Sequence, residues 1–251
     1  MDKYKLIVQT NPKSPISEAY RTLRTNIQFS SLDNPIKTIV VTSAGPGEGK
    51  TTSVTNLAIT MAHSGSRVLL IDGDLRKPEL HKIFISSNQV GLTNILVSEL
   101  DYKERVVQTY VEGLETLPVG VIPPNPSELL ASNKMKQLLD EVKRDYDFVL
   151  IDTPPVGLVT DASILSAIVD GTILVCASGQ ISIEEAGRSK ELLENVNANI
   201  IGVILNKIPL NRRGYSQYYY YRSYEEGNPK RTKRREKANG RFTQPHFTHY
   251  R

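Results

Sequence analysis

The sequence is poor in the residues that build disulfide frameworks and zinc sites. Its 251 residues include one cysteine, Cys176, and four histidines, so a disulfide within the chain is excluded and a zinc site is not expected. Cys176 lies in the apolar run 171–177 and is expected to be a buried strand residue, which fits a reducing cytoplasm. No Ser/His/Asp or Cys/His constellation suggests hydrolysis of another substrate.

Long apolar segments are also absent. No run approaches the roughly 20 residues that span a bilayer, and residues 1–5 lack the apolar core of a signal peptide. We therefore expect a chain that is soluble by itself. At 251 residues it is long enough to form one large α/β domain.

Charge is distributed unevenly along the chain. The formal net charge is +4, but residues 207–251 contain twelve Lys or Arg against three acids, so this segment carries +9 and residues 1–206 carry −5. Because the segment also has few aliphatic side chains, we predict a disordered basic tail. The tail is either simply solvated or attracted to the anionic inner leaflet; it lacks base-reading motifs, so nucleic acid is not an expected partner.

A glycine-rich segment at 44–52 lies between the apolar run 36–41 and a helix-like stretch at 53–62. Glycines let backbone N–H groups converge on phosphate oxygens, and the following helix points its positive end at the same anion. The context predicts a phosphate-binding loop whose nucleotide contacts come from Gly45, Pro46, Gly47, Glu48, Gly49, Lys50, Thr51 and Thr52.

The loop departs from the motif G-x-x-x-x-G-K-[ST] at one position. Ala44 replaces the first glycine, which we interpret as a tolerated variant because Gly45 and Gly47 are adjacent. Lys50 is expected to reach the β and γ phosphates of a nucleoside triphosphate, and Thr51 to bind Mg²⁺. The alternative is a glycine-rich turn followed by a chance Lys-Thr pair.

Acidic residues follow two apolar runs of the chain. Asp72 and Asp74 come after the run 67–71, and Asp152 ends the run 148–152. Because ligands bind outside the carboxyl ends of parallel strands, these carboxylates should meet the phosphate loop at one sheet edge. Mg²⁺ prefers oxygen ligands, so we predict Thr51, Asp74 and Asp152 as its direct or water-mediated ligands. The alternative is that acids after strands cap the next helix.

Apolar strand-like runs alternate with helix-like stretches. The runs cover 36–42, 67–71, 113–118, 148–152, 172–177 and 200–205, and a long helix is predicted at 126–146. This order predicts a P-loop nucleotide-binding fold over 1–206, with a mainly parallel sheet and helices on both faces. Asn206, after the last run, either contacts the base of the nucleotide or forms a turn that ends the strand.

These motifs together resemble those of the bacterial tyrosine kinases, the P-loop kinases of capsule and exopolysaccharide systems. The loop 44–52, the Asp72-x-Asp74-x-Arg76 segment and the segment 151–155 are similar to the family's Walker A, A′ and B motifs. Glu18, Arg21 and Arg24 match its E-x-x-R-x-x-R oligomerisation segment. The resemblance extends from about residue 18 to residue 224.

The resemblance implies an ATP- and Mg²⁺-dependent protein tyrosine kinase. Asp72 would accept the proton of the tyrosine hydroxyl, and Lys50 and Asp74 would act at the transferred phosphoryl group. Arg76 would either neutralise developing charge or pair with an acid. The acceptors would be tyrosines of the tail, six of which lie within ten residues: Tyr215, Tyr218, Tyr219, Tyr220, Tyr221 and Tyr224. The alternative is that this cluster is an aromatic recognition segment.

The resemblance also implies assembly and partners. A helix over 14–30, with Ser17 as its N-cap, would carry the oligomerisation residues and close a homo-oligomeric ring; the alternative is an ordinary salt-bridged helix surface. A separate transmembrane activator of the polysaccharide co-polymerase type would hold the cytoplasmic kinase at the inner face of the membrane. A cognate phosphotyrosine phosphatase and protein substrates complete the expected partners.

Two other classes of protein explain part of the sequence. Dimeric ATPase switches of the division-site or partition type share the three motifs, but they usually carry a lysine after the first glycine of the loop. This chain has Gly45 there. The tyrosine cluster is also unexplained by that class. A non-enzymatic ATP-binding scaffold would show no turnover.

Overall fold

The inner strands of the sheet form from Val-, Ile- and Leu-rich runs that are buried on both faces, as expected of parallel strands covered by helices. The computed structural model describes residues 6–30 and 35–209. Within these ranges the strands are β1 (Thr38–Ser43), β2 (Val68–Asp72), β3 (Val107–Gln108), β4 (Leu114–Leu117), β5 (Phe148–Asp152), β6 (Gly171–Ala177) and β7 (Ile200–Asn206).

The strand order places β1 near the middle of the sheet. The order is β3-β4-β2-β5-β1-β6-β7; β3 is antiparallel to β4 and the other pairs are parallel. Asp72 lies opposite Asp152 in the β2–β5 register, and Val41 lies opposite Asp152 in the β1–β5 register. The acidic ends of β2 and β5 therefore meet beside the loop that follows β1.

Helices cover both faces of this sheet. They are α1 (Ile7–Thr10), α2 (Pro15–Ser30), α3 (Lys50–Ala62), α4 (Leu80–Ile83), α5 (Leu92–Val97), α6 (Pro126–Leu130), α7 (Asn133–Asp145), α8 (Asp161–Ser166) and α9 (Ile183–Glu194). Ile39 and Val41 pack with α2 and α3 on one face, whereas Val40 packs with α7 on the other. The alternation of side chains along β1 thus builds two cores. None of the described helices is long and apolar enough to cross a membrane.

The predicted fold class and the six predicted parallel strands are confirmed, but two local predictions were wrong and one strand was missed. The stretch 126–146 is two helices, because Ser132 is extended and its hydroxyl accepts the Met135 N–H to cap α7. Ser14, not Ser17, lies before α2 and accepts the Ser17 N–H at 3.1 Å. The short antiparallel strand β3 was not predicted. Cys176 is buried in β6 as expected. The tyrosine cluster 215–224 lies outside the described residues.

Candidate active site

The phosphate loop leads from β1 into α3. Gly47 and Gly49 have φ of +75° and +93°, a conformation that side chains with a Cβ rarely adopt. A Cβ at Gly49 would also lie 2.3 Å from the Nδ2 atom of Asn206. Since α3 begins at Lys50, the free N–H groups of its first turn adjoin the loop. The segment therefore has the backbone of an anion-binding site.

Four side chains converge where α3 begins. The Thr51 hydroxyl donates to Asp152 Oδ2 at 2.6 Å. The Lys50 ammonium lies 3.2 Å from Thr51 Oγ1, 3.4 Å from Asp152 Oδ1 and 3.7 Å from Asp74 Oδ2. Asp74 and Asp152 are both buried. The structure thus brings the two predicted metal-binding carboxylates to the lysine and threonine of the loop.

The charges in this cluster depend on one another. Burial by itself would lower the pKa of Lys50, but the carboxylates of Asp152 and Asp74 outweigh it and the pKa is raised. Burial raises the pKa of Asp152, although the Lys50 ammonium and the Thr51 hydroxyl oppose the shift. Lys50 therefore remains a cation in the pH range where proteins function, and that cation stabilises the carboxylates beside it.

Asp72 lies fully buried at the end of β2. Its Oδ2 atom accepts the N–H groups of Glu79 and Leu80, both at 3.0 Å, and its Oδ1 atom accepts the Asp74 N–H at 3.3 Å. Burial, and then the charge of Asp152, raises the pKa of Asp72 to about 8. The side chain therefore organises the loop before α4 and also has a pKa close to neutral pH.

Arg76 forms a two-pronged ion pair with Asp161. Its Nε and Nη2 atoms lie 2.9 and 3.0 Å from the two Asp161 oxygens, and Asp161 is fully buried at the start of α8. Of the two roles predicted for Arg76, the structure supports pairing with an acid. Asp161 was missed at the sequence level, because only the tertiary fold brings it to Arg76.

The Glu48 side chain supports the phosphate loop from behind. Its Oε1 atom accepts the Gly45 N–H at 2.5 Å, and its Oε2 atom accepts the Ala177 N–H at the end of β6 at 2.8 Å. The side chain is 2% exposed. Both hydrogen bonds direct the carboxylate into the protein. The predicted nucleotide contact of Glu48 would therefore come from its backbone N–H group.

Asn206 and Lys207 hold the loop from the β7 side. Asn206 Nδ2 donates to the Glu48 carbonyl at 2.8 Å, and Asn206 Oδ1 accepts the Lys207 N–H at 2.8 Å. Lys207 Nζ donates to the Gly47 carbonyl at 2.6 Å. Asn206 therefore does more than end a strand. The predicted boundary at 206/207, which follows the change of composition after Leu205, falls between these two residues.

A cavity of about 660 Å³ opens in front of the loop. Lys50, Thr51 and Asp74 line its polar part, together with Arg76 and Lys77. An apolar wall from the segment after β5 lines the rest: Pro154, Pro155, Leu158 and Val159. Pro46, Gly47, Gly49 and Thr52 also line it, whereas Gly45 and Glu48 line a second cavity of about 570 Å³.

The three oligomerisation candidates lie on α2, away from this cavity. Arg21 Nη1 lies 2.6 Å from Glu18 Oε2, and its Nη2 atom donates to the Pro12 carbonyl at 2.7 Å. Arg24 Nη1 donates to the Thr60 carbonyl at 3.3 Å. These contacts within the chain agree with the salt-bridged helix surface. The buried Nε of Arg24 has no hydrogen-bond partner among the residues that the structure describes.

The oxygen atoms of the site fit Mg²⁺. The described residues contain no group of three or more His, Cys, Asp and Glu side chains that could hold a metal by themselves. Mg²⁺ instead characteristically uses one or two carboxylates together with substrate phosphates. Thr51 Oγ1 and the Asp152 and Asp74 carboxylates are oxygen donors of this kind, and the Lys50 ammonium already contacts all three.

Comparison with known proteins agrees with this geometry. The family model described as the AAA domain matches residues 36–201. The tyrosine-protein kinase YwqD of Bacillus subtilis is 45% identical over 216 residues, which cover 86% of this chain and 90% of YwqD. The putative tyrosine-protein kinase CapB of Staphylococcus aureus is 41% identical over 216 residues, covering 86% and 94%.

Solved structures show the same similarity. The kinase domain of the Escherichia coli tyrosine kinase ETK aligns with a TM-score of 0.80 and 33% identity, covering 84% of this chain and 83% of that domain. The septum site-determining protein MinD of Pyrococcus horikoshii, solved with Mg-ADP, aligns with a TM-score of 0.60 and 26% identity, covering 71% and 73%.

Fold and site together define a P-loop nucleotide-binding domain with a mainly parallel sheet. Within that class, the chain belongs to the bacterial tyrosine kinase family, and it comprises the family's catalytic domain.

Proposed function

We propose that the protein transfers the γ-phosphoryl group of ATP·Mg²⁺ to the tyrosines of its own tail. The observation that supports the proposal is the convergence of Lys50, Thr51, Asp74 and Asp152 beside a cavity of about 660 Å³. Phosphoryl transfer needs mainly positioning and charge neutralisation, which these groups supply. The similarity to YwqD and CapB supports tyrosine as the acceptor.

Each of these residues would bind either the phosphates of ATP or the Mg²⁺ ion. The loop N–H groups and Lys50 Nζ would hold the β and γ phosphates, with Lys50 leaving its carboxylate partners to do so. Thr51, Asp152 and Asp74 would hold Mg²⁺, which when bound offsets phosphate charge. The bond from the γ-phosphorus to the bridging oxygen breaks, and a bond to the tyrosine oxygen forms. ADP leaves with the bridging oxygen, and the phenolic proton passes to a carboxylate.

We assign that proton to Asp72. A proton acceptor works best when its pKa is not far below the working pH, and burial, followed by the charge of Asp152, raises the pKa of Asp72 to about 8. The ionised carboxylate is the form that would accept the proton. The competing acceptor is Asp74, which lines the cavity, whereas Asp72 is fully buried. Asp72→Asn and Asp74→Asn separate the two roles: loss of the proton acceptor lowers kcat with the KM for ATP little changed, and loss of a metal ligand raises the Mg²⁺ requirement.

Transfer between subunits is the favoured arrangement. From residue 207 to residue 218 an extended chain spans at most ~35–40 Å, and a tail this short must double back sharply to enter its own site. An assembly built through Glu18, Arg21 and Arg24 would bring neighbouring tails and sites together. Each phosphotyrosine adds about −1.5 to −2 charges, so four to six would cancel or invert the tail's +9 and release it from the acidic body.

The cellular role we propose is control of capsule or exopolysaccharide synthesis. The proposed partners are a transmembrane activator of the polysaccharide co-polymerase type and a cognate phosphotyrosine phosphatase. The relatives that support this role are the tyrosine-protein kinase YwqD, the putative tyrosine-protein kinase CapB, and the putative tyrosine-protein kinase AmsA of Erwinia amylovora, of which the chain covers 31%.

The decisive experiment is Lys50→Met in the full chain. Loss of the ammonium removes charge stabilisation aimed at the transferred group, so we expect phosphotyrosine, measured by mass spectrometry after incubation with ATP and Mg²⁺, to disappear. Lys190→Met, which replaces an exposed lysine paired with Glu194 on α9, is the matched control and should retain activity. Normal autophosphorylation by Lys50→Met would refute the site. ATP hydrolysis without phosphotyrosine in the wild-type protein would favour the ATPase switch.

A further inference from the structure

The apolar wall of the cavity has no role in holding phosphate. Leu158 is 63% exposed although it is a large aliphatic residue, and it lies beside Lys50 and Asp74 in the cavity lining. Phosphates and Mg²⁺ require donors and oxygens, which the loop and the acids provide. A flat apolar group is the chemistry that Leu158, Val159 and Pro155 fit.

Backbone hydrogen bonds connect this wall to β1 and within its own turn. The Val156 N–H donates to the Ser43 carbonyl at the end of β1 at 2.8 Å, and the Leu158 N–H donates to the Pro155 carbonyl at 3.1 Å. The position of Leu158 is thus tied to the strand that carries the phosphate loop. Such a support is expected of a side chain that positions a reactant, because small misplacements lower the rate of phosphoryl transfer.

The strand order separates this wall from the β7 side of the loop. β5, which precedes the wall, lies on one side of β1, whereas β6 and β7 lie on the other. Asn206 and Lys207 contact the loop from β7. A nucleotide whose base lies on the β7 side directs its γ-phosphate toward β5, so the wall adjoins the end of ATP that is transferred.

We infer that Leu158 and Val159 hold the aromatic ring of the acceptor tyrosine, and that Lys77 at the same cavity selects Tyr224 of the tail. This inference rests on the proposed function. Lys77 is exposed and lines the cavity, and its N–H is held by Asp74 Oδ1 at 2.9 Å. Of the six clustered tyrosines, Tyr224 alone is followed directly by two acids, Glu225 and Glu226. Those charges complement Lys77, so the occupant is the segment 224–226.

The test separates donor and acceptor in full-length chains. The donor carries phenylalanine at all six clustered tyrosines and keeps its active site, and the acceptor is the Lys50→Met chain with its tyrosines intact. Introducing Leu158→Ala into the donor should raise the KM for the acceptor chain about ten-fold and leave the KM for ATP unchanged. Leu158→Met should restore the acceptor KM. Val203→Ala, a similarly exposed residue on β7, is the control and should change neither constant.

The outcomes are distinguishable. No phosphotyrosine on the acceptor with the unmodified donor contradicts transfer between subunits, independently of Leu158. An unchanged acceptor KM for Leu158→Ala overturns the acceptor site, and a rise in the KM for ATP places Leu158 on the nucleotide instead. Lys77→Glu in the donor should reduce phosphate on Tyr224 several-fold relative to Tyr218 in the same acceptor. An unchanged ratio overturns the selection of Tyr224.

Discussion

The Thr51 hydroxyl donates to Asp152 Oδ2 at 2.6 Å, which joins the first turn of α3 to the carboxyl end of β5. Asp152→Asn removes a negative charge from this pair. We expect Mg²⁺-dependent affinity for a fluorescent ADP analogue to fall about 10–100-fold, and affinity without Mg²⁺ to change much less. Asp147→Asn, at the other end of β5, is the control. Equal losses with and without Mg²⁺ would contradict a metal-binding role.

Glu48 is predicted to stabilise the phosphate loop through its two carboxylate oxygens. Glu48→Gln places an NH₂ group against the N–H of either Gly45 or Ala177, so one buried donor loses its partner. We expect the free energy of unfolding, measured in urea without nucleotide, to fall by about 1–3 kcal/mol. Glu184→Gln, on the exposed first turn of α9, should have little effect. An unchanged free energy of unfolding in Glu48→Gln would show that these two hydrogen bonds do not stabilise the loop.

Gly157 makes room for Ala44, the residue that replaces the first loop glycine. A Cβ at position 157 would lie 2.4 Å from the Ala44 carbonyl oxygen, so Gly157→Ala should displace the loop and lower both stability and nucleotide affinity.

Gly187 is inside α9 with nothing within 4 Å of an added Cβ. Gly187→Ala should therefore raise the free energy of unfolding by about 0.5–1 kcal/mol. Urea unfolding measures the stability of both variants, and titration with a fluorescent ADP analogue measures the nucleotide affinity of Gly157→Ala. Unchanged stability and affinity in Gly157→Ala would contradict the steric argument.

The lowered pKa of Asp170 predicts that the stability of the folded protein depends on pH. Burial opposes ionisation, but hydrogen bonds from Lys143, Thr38 and Lys37 outweigh it and hold the pKa below its usual value of 3.8. Because the folded pKa is below the unfolded one, the stabilisation is present above about pH 4 and is lost as the pH falls toward the folded pKa. Asp170→Asn should lower the free energy of unfolding at pH 7 by about 1–3 kcal/mol.

The same variant should differ less from the wild type at pH 3, since this is below the usual pKa of 3.8, where the unfolded chain binds a proton at Asp170 and the stabilisation from the folded carboxylate is being lost. Urea unfolding at both pH values measures the difference. Asp140→Asn, an exposed residue on α7, controls for loss of a charge. A deficit for Asp170→Asn that is the same at pH 3 and pH 7 would exclude the ionised carboxylate as its cause.

The helix α2 provides a test of assembly. Arg21→Ala with Arg24→Ala should lower the mass in solution to that of a monomer. The Arg21–Glu18 ion pair contributes less than about 1 kcal/mol, and Arg24 donates a partly buried hydrogen bond to the Thr60 carbonyl, so the free energy of unfolding should fall by no more than about 1–3 kcal/mol. Arg67→Ala with Arg144→Ala removes two surface arginines elsewhere and should leave the mass unchanged. Light scattering measures both. A multimer that persists in the α2 variant places the interface on another surface.

Local sequence patterns were sufficient to predict the parallel strands and the phosphate loop of this protein. Buried parallel strands are nearly continuous apolar runs, so β5 was predicted residue for residue at 148–152. The phosphate loop was equally readable, since glycines, Lys50 and Thr51 act through backbone geometry within a few residues of one another. The break at Ser132 was missed because a capping serine inside an apolar periodicity resembles any helix surface residue.

The partners of each side chain were decided by the tertiary structure alone. Arg76 and Asp161 are 85 residues apart, Glu48 and Ala177 are 129 apart, and Lys207 reaches Gly47 across 160 residues. A charged side chain adopts whichever partner the packed elements bring within hydrogen-bond distance, and single-sequence patterns carry no such distances. The sequence by itself therefore determined the six parallel strands, the phosphate loop and the family. The strand order β2-β5-β1 decided which carboxylates meet Lys50 and which apolar wall lies beside them.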